Sequence, residues 1–228
     1  MAKDNRTLEM FSDNLDEELN WRRKELTILY DKLPKQKNSE QPALLRANYV
    51  MLYAHWEGFT KAIFQHYIDY VKLRKLTLKE LKPCFIARII RPKGANEKGV
   101  YQEVSKIEFL INGLENRAYI TDTNVSTKSN LRFGVFVDIL AEVGLTIQNI
   151  EPIERRERNF STNERRISTE IVENEIDKLV DVRNEVAHGK YLLVSYESFI
   201  YVREITMTLM ENVKNKLYQA ALQEKYKK

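Results

Sequence analysis

The chain of 228 residues is 43% hydrophobic and 10% aromatic, and its formal net charge is only +4. This content excludes an intrinsically disordered chain, and the length is sufficient for one large hydrophobic core. Seven glycines and five prolines are too few for an all-β protein with many tight turns, and the single cysteine, Cys84, excludes a disulfide framework and a multi-thiolate metal site.

Two long helices are predicted in the first third of the chain. Apolar residues recur at helical spacing over residues 7–33, and the segment LPKQKNSEQP then ends this helix. Pro42 suits the first turn of the next helix, which covers residues 43–76. Because the first half of that helix is apolar on nearly every side, we predict that it is the central helix of the fold.

The signals weaken after the central helix. Thr77 and Glu80 have the spacing of a capping box and open a short helical segment that Pro83 shortens or kinks. Residues 91–130 contain a turn-rich loop, a potential helix VYQEVSKIEFLING and a part that is strand-like or irregular. We interpret residues 91–130 as an insertion or lid.

Helical patterns return in the last third of the chain. The segment LRFGVFVDILAEVG predicts a helix with Gly144 as its C-terminal cap, and residues 151–167 predict a charged, solvated connector. Residues 168–189 predict a helix that stops at Gly189, and a last helix follows from about residue 198. The chain as a whole is therefore predicted to be an all-α bundle with an irregular middle.

The sequence contains no sign of secretion or of a membrane span. The N-terminus has no apolar core of signal-peptide type, and no run of about 18 uncharged apolar residues occurs. We expect a soluble, cytoplasmic protein without membrane contact.

The string RNEVAHG, residues 183–189, combines an arginine and a histidine near a predicted helix end. Five residues rotate through about 140° on an ideal helix, so Arg183 and His188 do not share a face, whereas Asn184 and His188 do. A site that uses all three requires the relaxed backbone of the last turn or a second copy of the helix across a symmetric interface.

The residue types in this string suit RNA cleavage. Imidazole exchanges protons near neutral pH, and a guanidinium can hold a phosphate. The internal 2′-OH of RNA is the nucleophile, so neither a metal nor a nucleophile from the protein is needed. Asn184 could orient His188 or bind a non-bridging oxygen.

The same residues have an interpretation without function. A histidine before a capping glycine complements the exposed carbonyls of a helix end. Arg183 would then pair with Glu170, Glu173 or a more distant acid.

The longer string LVDVRNEVAHGKY resembles the signature end of a HEPN domain, and LRANYVMLYAHWEGFTKAI resembles the central helix of prokaryotic HEPN-like nucleases. The resemblance covers residues 44–61, 171–191 and, more loosely, 130–144. It implies an all-α HEPN bundle and a homodimer in which the two motifs face each other. It further implies metal-independent, cofactor-free endoribonuclease activity that leaves 2′,3′-cyclic phosphate and 5′-hydroxyl ends.

For this chain, the resemblance implies that Arg183 and His188 are the two catalytic residues and that Asn184 is the polar residue that follows the arginine in the motif. We predict one HEPN-like domain over residues 1–228, in which residues 1–40 are an N-terminal helical extension that lies outside the resemblance. The resemblance also implies a role in antiphage defence or as a toxin, with an antitoxin or defence-system protein as a further partner. The competing hypotheses are a non-catalytic HEPN module that binds RNA, a nucleotide or a protein, and a purely structural helical adaptor.

The charge of the chain is distributed unevenly. Residues 1–20 hold six acidic and two basic residues, whereas residues 72–98 hold nine basic and two acidic ones. A polyanion would be drawn to the second segment. The candidate contacts for RNA there are Lys82, Arg88, Arg91 and Lys93, and the alternative is a solvated basic face.

Three further polar residues lie in the central helix. Glu57 is a candidate buried acid that would orient Arg183 or His188 without contacting the RNA itself. The alternative is that Glu57 forms an ion pair with a lysine or arginine. We interpret His55 and His66 as packing residues. With three histidines and one cysteine in the whole chain, no metal-binding spacing is present, so we predict no metal site.

Overall fold

The computed structural model describes residues 6–90, 100–114, 120, 123–149, 153–155 and 165–228. The elements within these residues, in chain order, are α1 Leu8–Asp31, α2 Gln41–Lys72, α3 Pro83–Ile90, α4 Val100–Gly113, α5 Phe133–Glu142, β1 Ile153–Arg155, β2 Arg165–Ile167, α6 Thr169–Ala187 and α7 Tyr196–Leu222. The predicted all-α fold is confirmed. The two antiparallel three-residue strands, which pair within the predicted charged connector, were not predicted.

Helix α1 begins where its sequence provides a cap. The Thr7 hydroxyl accepts a hydrogen bond from the Met10 N–H at 3.0 Å, which satisfies one of the free donors at the helix start. The buried face of α1 packs against α2 and α7, and the rings of Phe11 and Tyr70 stack with their centroids 5.0 Å apart. Burial of this apolar face joins α1 to the rest of the bundle.

Helix α2 is the central helix, as predicted. It contacts α1, α6 and α7, and its largest side chains, including Trp56, Phe59 and Tyr67, are fully buried. Pro42 lies in its first turn, as expected for a residue without an N–H to donate. The helix ends at Lys72, four residues earlier than predicted, and Lys75 then adopts a left-handed conformation with φ 53°.

Helix α3 begins at a proline instead of being kinked by it. The Glu80 carboxylate accepts hydrogen bonds from the N–H and the hydroxyl of Thr77, each at 2.8 Å. These bonds hold residues 77–81 in a turn, so the helix starts only at Pro83. The turn is also tied to the end of the chain, since the Lys82 N–H donates to the Tyr226 carbonyl at 2.9 Å.

The turn before α5 is held between α2 and α6. Trp56 of α2 donates its indole N–H to the Leu131 carbonyl at 3.3 Å, and the Asp177 carboxylate of α6 accepts the Phe133 N–H at 2.8 Å. Lys128 and Ser129 have positive φ angles of 51° and 66°, which non-glycine residues adopt only when the surroundings impose them. This fixed turn presents Asn130 towards α6, where its side-chain oxygen accepts a hydrogen bond from Arg183.

Helices α6 and α7 both start with a serine cap. The side chains of Ser168 and Ser195 accept hydrogen bonds from the N–H groups three residues later. Helix α6 buries Ile176, Leu179 and Val180 against the bundle. Of the helices described, none combines the length and the apolar character needed to cross a membrane.

Candidate active site

The end of α6 is a Schellman turn that removes His188 from the helix. The Gly189 N–H donates to the Val186 carbonyl and the Lys190 N–H to the Glu185 carbonyl, each at 3.0 Å. Gly189 has φ +75°, and an added Cβ would meet no atom within 4 Å, so the backbone conformation alone requires glycine. His188 is the C-cap residue, with φ −86° and ψ 12°, and it is exposed.

Arg183 lies one turn earlier and is held in one orientation. Its guanidinium carbon is 3.8 Å from the centroid of the Tyr53 ring, and its Nη2 donates to the Asn130 Oδ1 at 2.6 Å. Both partners are uncharged. No carboxylate in the described part of the chain pairs with Arg183, so the predicted alternative, an ion pair with Glu170 or Glu173, is not observed.

Tyr53 is itself fixed by polar groups. Its hydroxyl accepts the Leu131 N–H at 2.9 Å. Burial raises the pKa of Tyr53, and the neighbouring Glu57 raises it further, against the lowering effects of the Leu131 N–H and of Arg183. The ring therefore remains a neutral phenol beneath the guanidinium of Arg183.

Glu57 lies one turn after Tyr53 on α2. Its Oε1 accepts hydrogen bonds from the Thr127 hydroxyl at 2.5 Å and from the Lys61 ammonium at 2.9 Å. Burial alone would raise the pKa of Glu57, but the hydrogen bonds from Thr127, Lys61 and Tyr53 outweigh it and lower the pKa below the ordinary value. Glu57 is thus connected to Arg183 through Tyr53 and also through Thr127, whose carbonyl accepts the Asn130 N–H at 3.1 Å. The ion pair of its alternative interpretation, with Lys61, is present as well.

Asn184 and His188 complete the motif without internal partners. Asn184 is half-buried, and neither side chain makes a hydrogen bond within the described residues. The Asn184 carbonyl accepts the His188 N–H at 3.0 Å. No hydrogen bond joins Arg183 to His188, in agreement with their different directions on a helix.

Two residues at the centre of this cluster, Tyr53 and Asn130, were not predicted. Tyr53 shares a face of α2 with Glu57, four residues away, and this spacing was available in the sequence. Asn130 lies 53 residues from Arg183, and no local pattern links the two.

The prediction that Arg88 contacts RNA is wrong. Arg88 is only 1% exposed, its guanidinium pairs with the Glu142 carboxylate at 2.5 Å, and it donates to the Asn124 carbonyl at 2.9 Å. A guanidinium that is paired and buried inside the protein cannot reach a phosphate.

Lys82, another predicted RNA contact, is not brought to the end of α6. The aliphatic chain of Lys82 lies beside Gly144, which follows α5, whereas Asn130 precedes α5 and contacts Arg183. Helix α5 has ten residues and is about 15 Å long, so Lys82 and the motif lie at opposite ends of it. Arg91 and Lys93 lie outside the described residues.

The two remaining histidines are buried between α1 and α2. His55 Nε2 lies 2.9 Å from the Glu25 carboxylate, and the His55 ring meets Trp21 edge to face. Burial lowers the pKa of His55, although Glu25 opposes this effect. His66 is also buried. Within the described ranges, no three His, Cys, Asp or Glu side chains are grouped as metal ligands would be.

A helical bundle with a buried central helix, against which a later helix ending in Arg-Asn-x-x-x-His is packed, is the architecture of a HEPN domain. The chain belongs to the RiboL-PSP-HEPN family, whose model matches residues 17–219. The predicted membership of the HEPN superfamily is confirmed, and the match extends well beyond the three segments that carried the resemblance. It supports a HEPN module of nuclease type or one otherwise related to RNA. The comparisons with curated proteins and with solved structures found no match.

Proposed function

We propose that this protein is an endoribonuclease that cleaves RNA by attack of the 2′-OH on the adjacent phosphodiester, without a metal. The observation that carries the proposal is the state of Arg183. Its guanidinium is held by the Tyr53 ring and the Asn130 amide and has no carboxylate partner among the described residues. Its positive charge is therefore fixed in place and available to a phosphate.

Each residue of the motif has a distinct part in this reaction. The 2′-oxygen forms a bond to phosphorus while the bond from phosphorus to the 5′-oxygen breaks. His188 takes part in moving the proton from the 2′-OH to the departing 5′-oxygen. Arg183 stabilises the additional negative charge on the phosphorane, and Asn184 orients the imidazole or binds a non-bridging oxygen. The products are a 2′,3′-cyclic phosphate and a 5′-hydroxyl.

The proposed active unit is a homodimer with the ends of two α6 helices facing each other. Arg183 and His188 are not hydrogen-bonded within one chain, and the side chains of Asn184 and His188 have no partner in the described residues of that chain. A second copy related by a two-fold axis would bring both sets of residues to one phosphate. The dimer therefore supplies the arrangement that a single helix cannot.

The proposed setting is a cytoplasmic toxin or antiphage effector restrained by an antitoxin or another defence-system protein. This part rests on the resemblance of the two motif strings to HEPN-like nucleases alone.

A second candidate function is a non-catalytic HEPN module that binds RNA, a nucleotide or a protein. The absence of a hydrogen bond between Arg183 and His188 in the described chain favours it, because binding requires the half-buried guanidinium and the exposed imidazole but no contact between them. Such a module would leave RNA ends unchanged and would bind RNA less tightly as salt increases.

The two functions are separated by incubating the purified protein with a mixed RNA pool in EDTA. We expect wild-type protein to produce 2′,3′-cyclic phosphate ends and His188→Ala to produce none, with fold and dimer retained. Cleavage by His188→Ala at an undiminished rate would refute the assignment. Intact RNA that binds in a salt-dependent manner would favour the non-catalytic module.

A further inference from the structure

Tyr191, three residues after His188, has an exposed aromatic ring that contacts the guanidinium of Arg46. It exposes 76% of its surface. The guanidinium carbon of Arg46, on α2, lies 5.0 Å from the ring centroid, and Arg46 Nη1 donates to the Leu192 carbonyl at 3.5 Å. The guanidinium thus covers one side of the ring and leaves the rest open to solvent.

A cavity of about 410 Å³ begins two residues further along the chain, since Leu193 belongs to its lining. It lies between the segment that leads into α2 and the segment that leads into α7, and Lys35, Lys37 and Leu193 contribute to its lining. Its volume is within the range of about 300–1,000 Å³ that is usual for sites of small ligands. It is therefore large enough for part of a nucleotide.

The charge of the cavity is predominantly positive. Lys35 and Lys37 are exposed, and no carboxylate of the described residues pairs with either of them. Glu197 is the carboxylate in the lining, and Arg46 directly follows the lining residue Leu45 on α2, so it adds a further cation nearby. A phosphate would be attracted to this cavity.

We propose that Tyr191, Arg46, Lys35 and Lys37 form a binding surface for single-stranded RNA next to the bond that is cut. The proposal rests on the nuclease function proposed above. A base stacks on the open face of Tyr191, and a neighbouring phosphate lies in the cavity near the two lysines. Stacking requires an unpaired base, so the surface selects single strands over duplexes.

The position of Tyr191 in the chain supports this assignment. Three residue steps span at most about 11 Å, so Tyr191 cannot lie far from His188. A base held on Tyr191 would therefore belong to a nucleotide close to the cleaved phosphate. A protein partner fits less well, because the centres of protein interfaces are depleted in lysine.

The stacking part is tested by fluorescence anisotropy with a short labelled single-stranded RNA. All variants are made in full-length His188→Ala protein, so that binding is measured without cleavage. We expect Tyr191→Ala to weaken binding about ten-fold, the effect of losing one stacked base, and Tyr191→Phe to bind normally. Leu222→Ala, which truncates a half-exposed apolar side chain at the end of α7, is the control and should bind normally.

The phosphate part is tested by the salt dependence of the same binding. We expect Lys35→Ala with Lys37→Ala to reduce the slope of log K against log salt by about one unit. Lys72→Ala with Lys75→Ala removes equal charge at and just after the other end of α2, which is about 48 Å long, and should reduce the slope less. The reverse result would place RNA on the basic segment after α2 and overturn the proposal.

The remaining outcomes distinguish this proposal from the nuclease proposal. Wild-type protein that cleaves RNA, with Tyr191→Ala binding as tightly as its parent, would refute the binding surface and leave the nuclease intact. RNA that is bound through Tyr191 but never cleaved by wild-type protein would refute the nuclease and leave the binding surface intact. A change in oligomeric state with unchanged RNA affinity would assign Tyr191 to a protein contact and overturn the proposal. Thermal unfolding of Tyr191→Ala should match the parent, since the ring is exposed.

Discussion

An arginine from a neighbouring helix lies at each end of α5. One of them pairs with a carboxylate, and the other contacts only neutral groups among the described residues. At the C-terminal end, Arg88 is buried and pairs with the Glu142 carboxylate. At the N-terminal end, Arg183 is half-buried and is held by the amide of Asn130 and the ring of Tyr53.

The difference teaches how a structural arginine can be told from a functional one. A buried charge is costly unless it is paired, so Arg88 is neutralised where it lies. Arg183 is oriented by neutral groups that restrict its motion without cancelling its charge. Such a guanidinium is prepared for an anion that the described part of the chain does not supply.

The largest effect is expected from Arg183→Ala. Removal of a preorganised donor to a transition state typically reduces a rate by about 10²–10³-fold, and we expect a loss of this size in RNA cleavage. Stability should change little, because the guanidinium has no ionic partner among the residues that the structure describes. Single-turnover cleavage of a defined RNA measures the first effect and urea unfolding the second. Strong destabilisation with unchanged cleavage per folded molecule would mean that Arg183 is structural, as Arg88 is.

Glu142→Ala tests the opposite end of α5. It leaves the buried guanidinium of Arg88 without its carboxylate, and we expect the free energy of unfolding to fall by about 3 kcal/mol. Cleavage by the protein that remains folded should be unaffected. Urea unfolding gives the first quantity, and cleavage at low temperature, normalised to the folded fraction, gives the second. An equal loss of cleavage and of stability would contradict the separation of the two ends.

A smaller effect is expected from Tyr53, for which two substitutions separate the ring from the hydroxyl. Tyr53→Phe keeps the ring under Arg183 but removes the acceptor of the buried Leu131 N–H, so the free energy of unfolding should fall by about 1–3 kcal/mol. Tyr53→Leu also removes the ring, and the lost cation–π contact should slow cleavage by about ten-fold. Equal cleavage rates for the two variants would show that the ring does not position Arg183.

The smallest effect concerns pH and Glu57. Its pKa is lowered in the folded protein, so the carboxylate stabilises the fold above its ordinary pKa of 4.5, and this contribution is lost as pH falls through the lowered value. Glu57→Gln should therefore lose less stability than wild type between neutral pH and pH values below 4.5. Urea unfolding across this pH range provides the measurement. Parallel pH profiles of the two proteins would contradict the proposed hydrogen bonding of Glu57.

The sequence predicted most of the helical architecture because its signals are local. Pro42 in the first turn of α2, Gly144 after α5 and Gly189 at the end of α6 all lie next to the helix that they begin or end. The end of α2 was placed too late, because the sequence after Lys72 remains compatible with a helix and the left-handed conformation of Lys75 is not encoded by its type.

The surroundings of the two arginines could not be predicted, because their partners lie far away in the chain. Arg88 meets Glu142 after 54 intervening steps of chain, and Arg183 meets Asn130 after 53. A basic segment in the sequence therefore does not reveal which of its basic side chains are buried in ion pairs within the protein. The short strands β1 and β2 were missed because three residues within a highly charged segment give no alternating pattern.

The Schellman turn at Gly189 has a consequence for the entropy of assembly. Its two hydrogen bonds and the ion pair between Lys190 and Glu185 fix the backbone on either side of His188 before any second chain or RNA arrives. Only side-chain rotation of Asn184 and His188 then remains to be lost, at about 0.5–1.5 kcal/mol for each immobilised side chain. A loop of free backbone at this position would have to be ordered at every encounter, whereas the capped helix presents the backbone of His188 already in place.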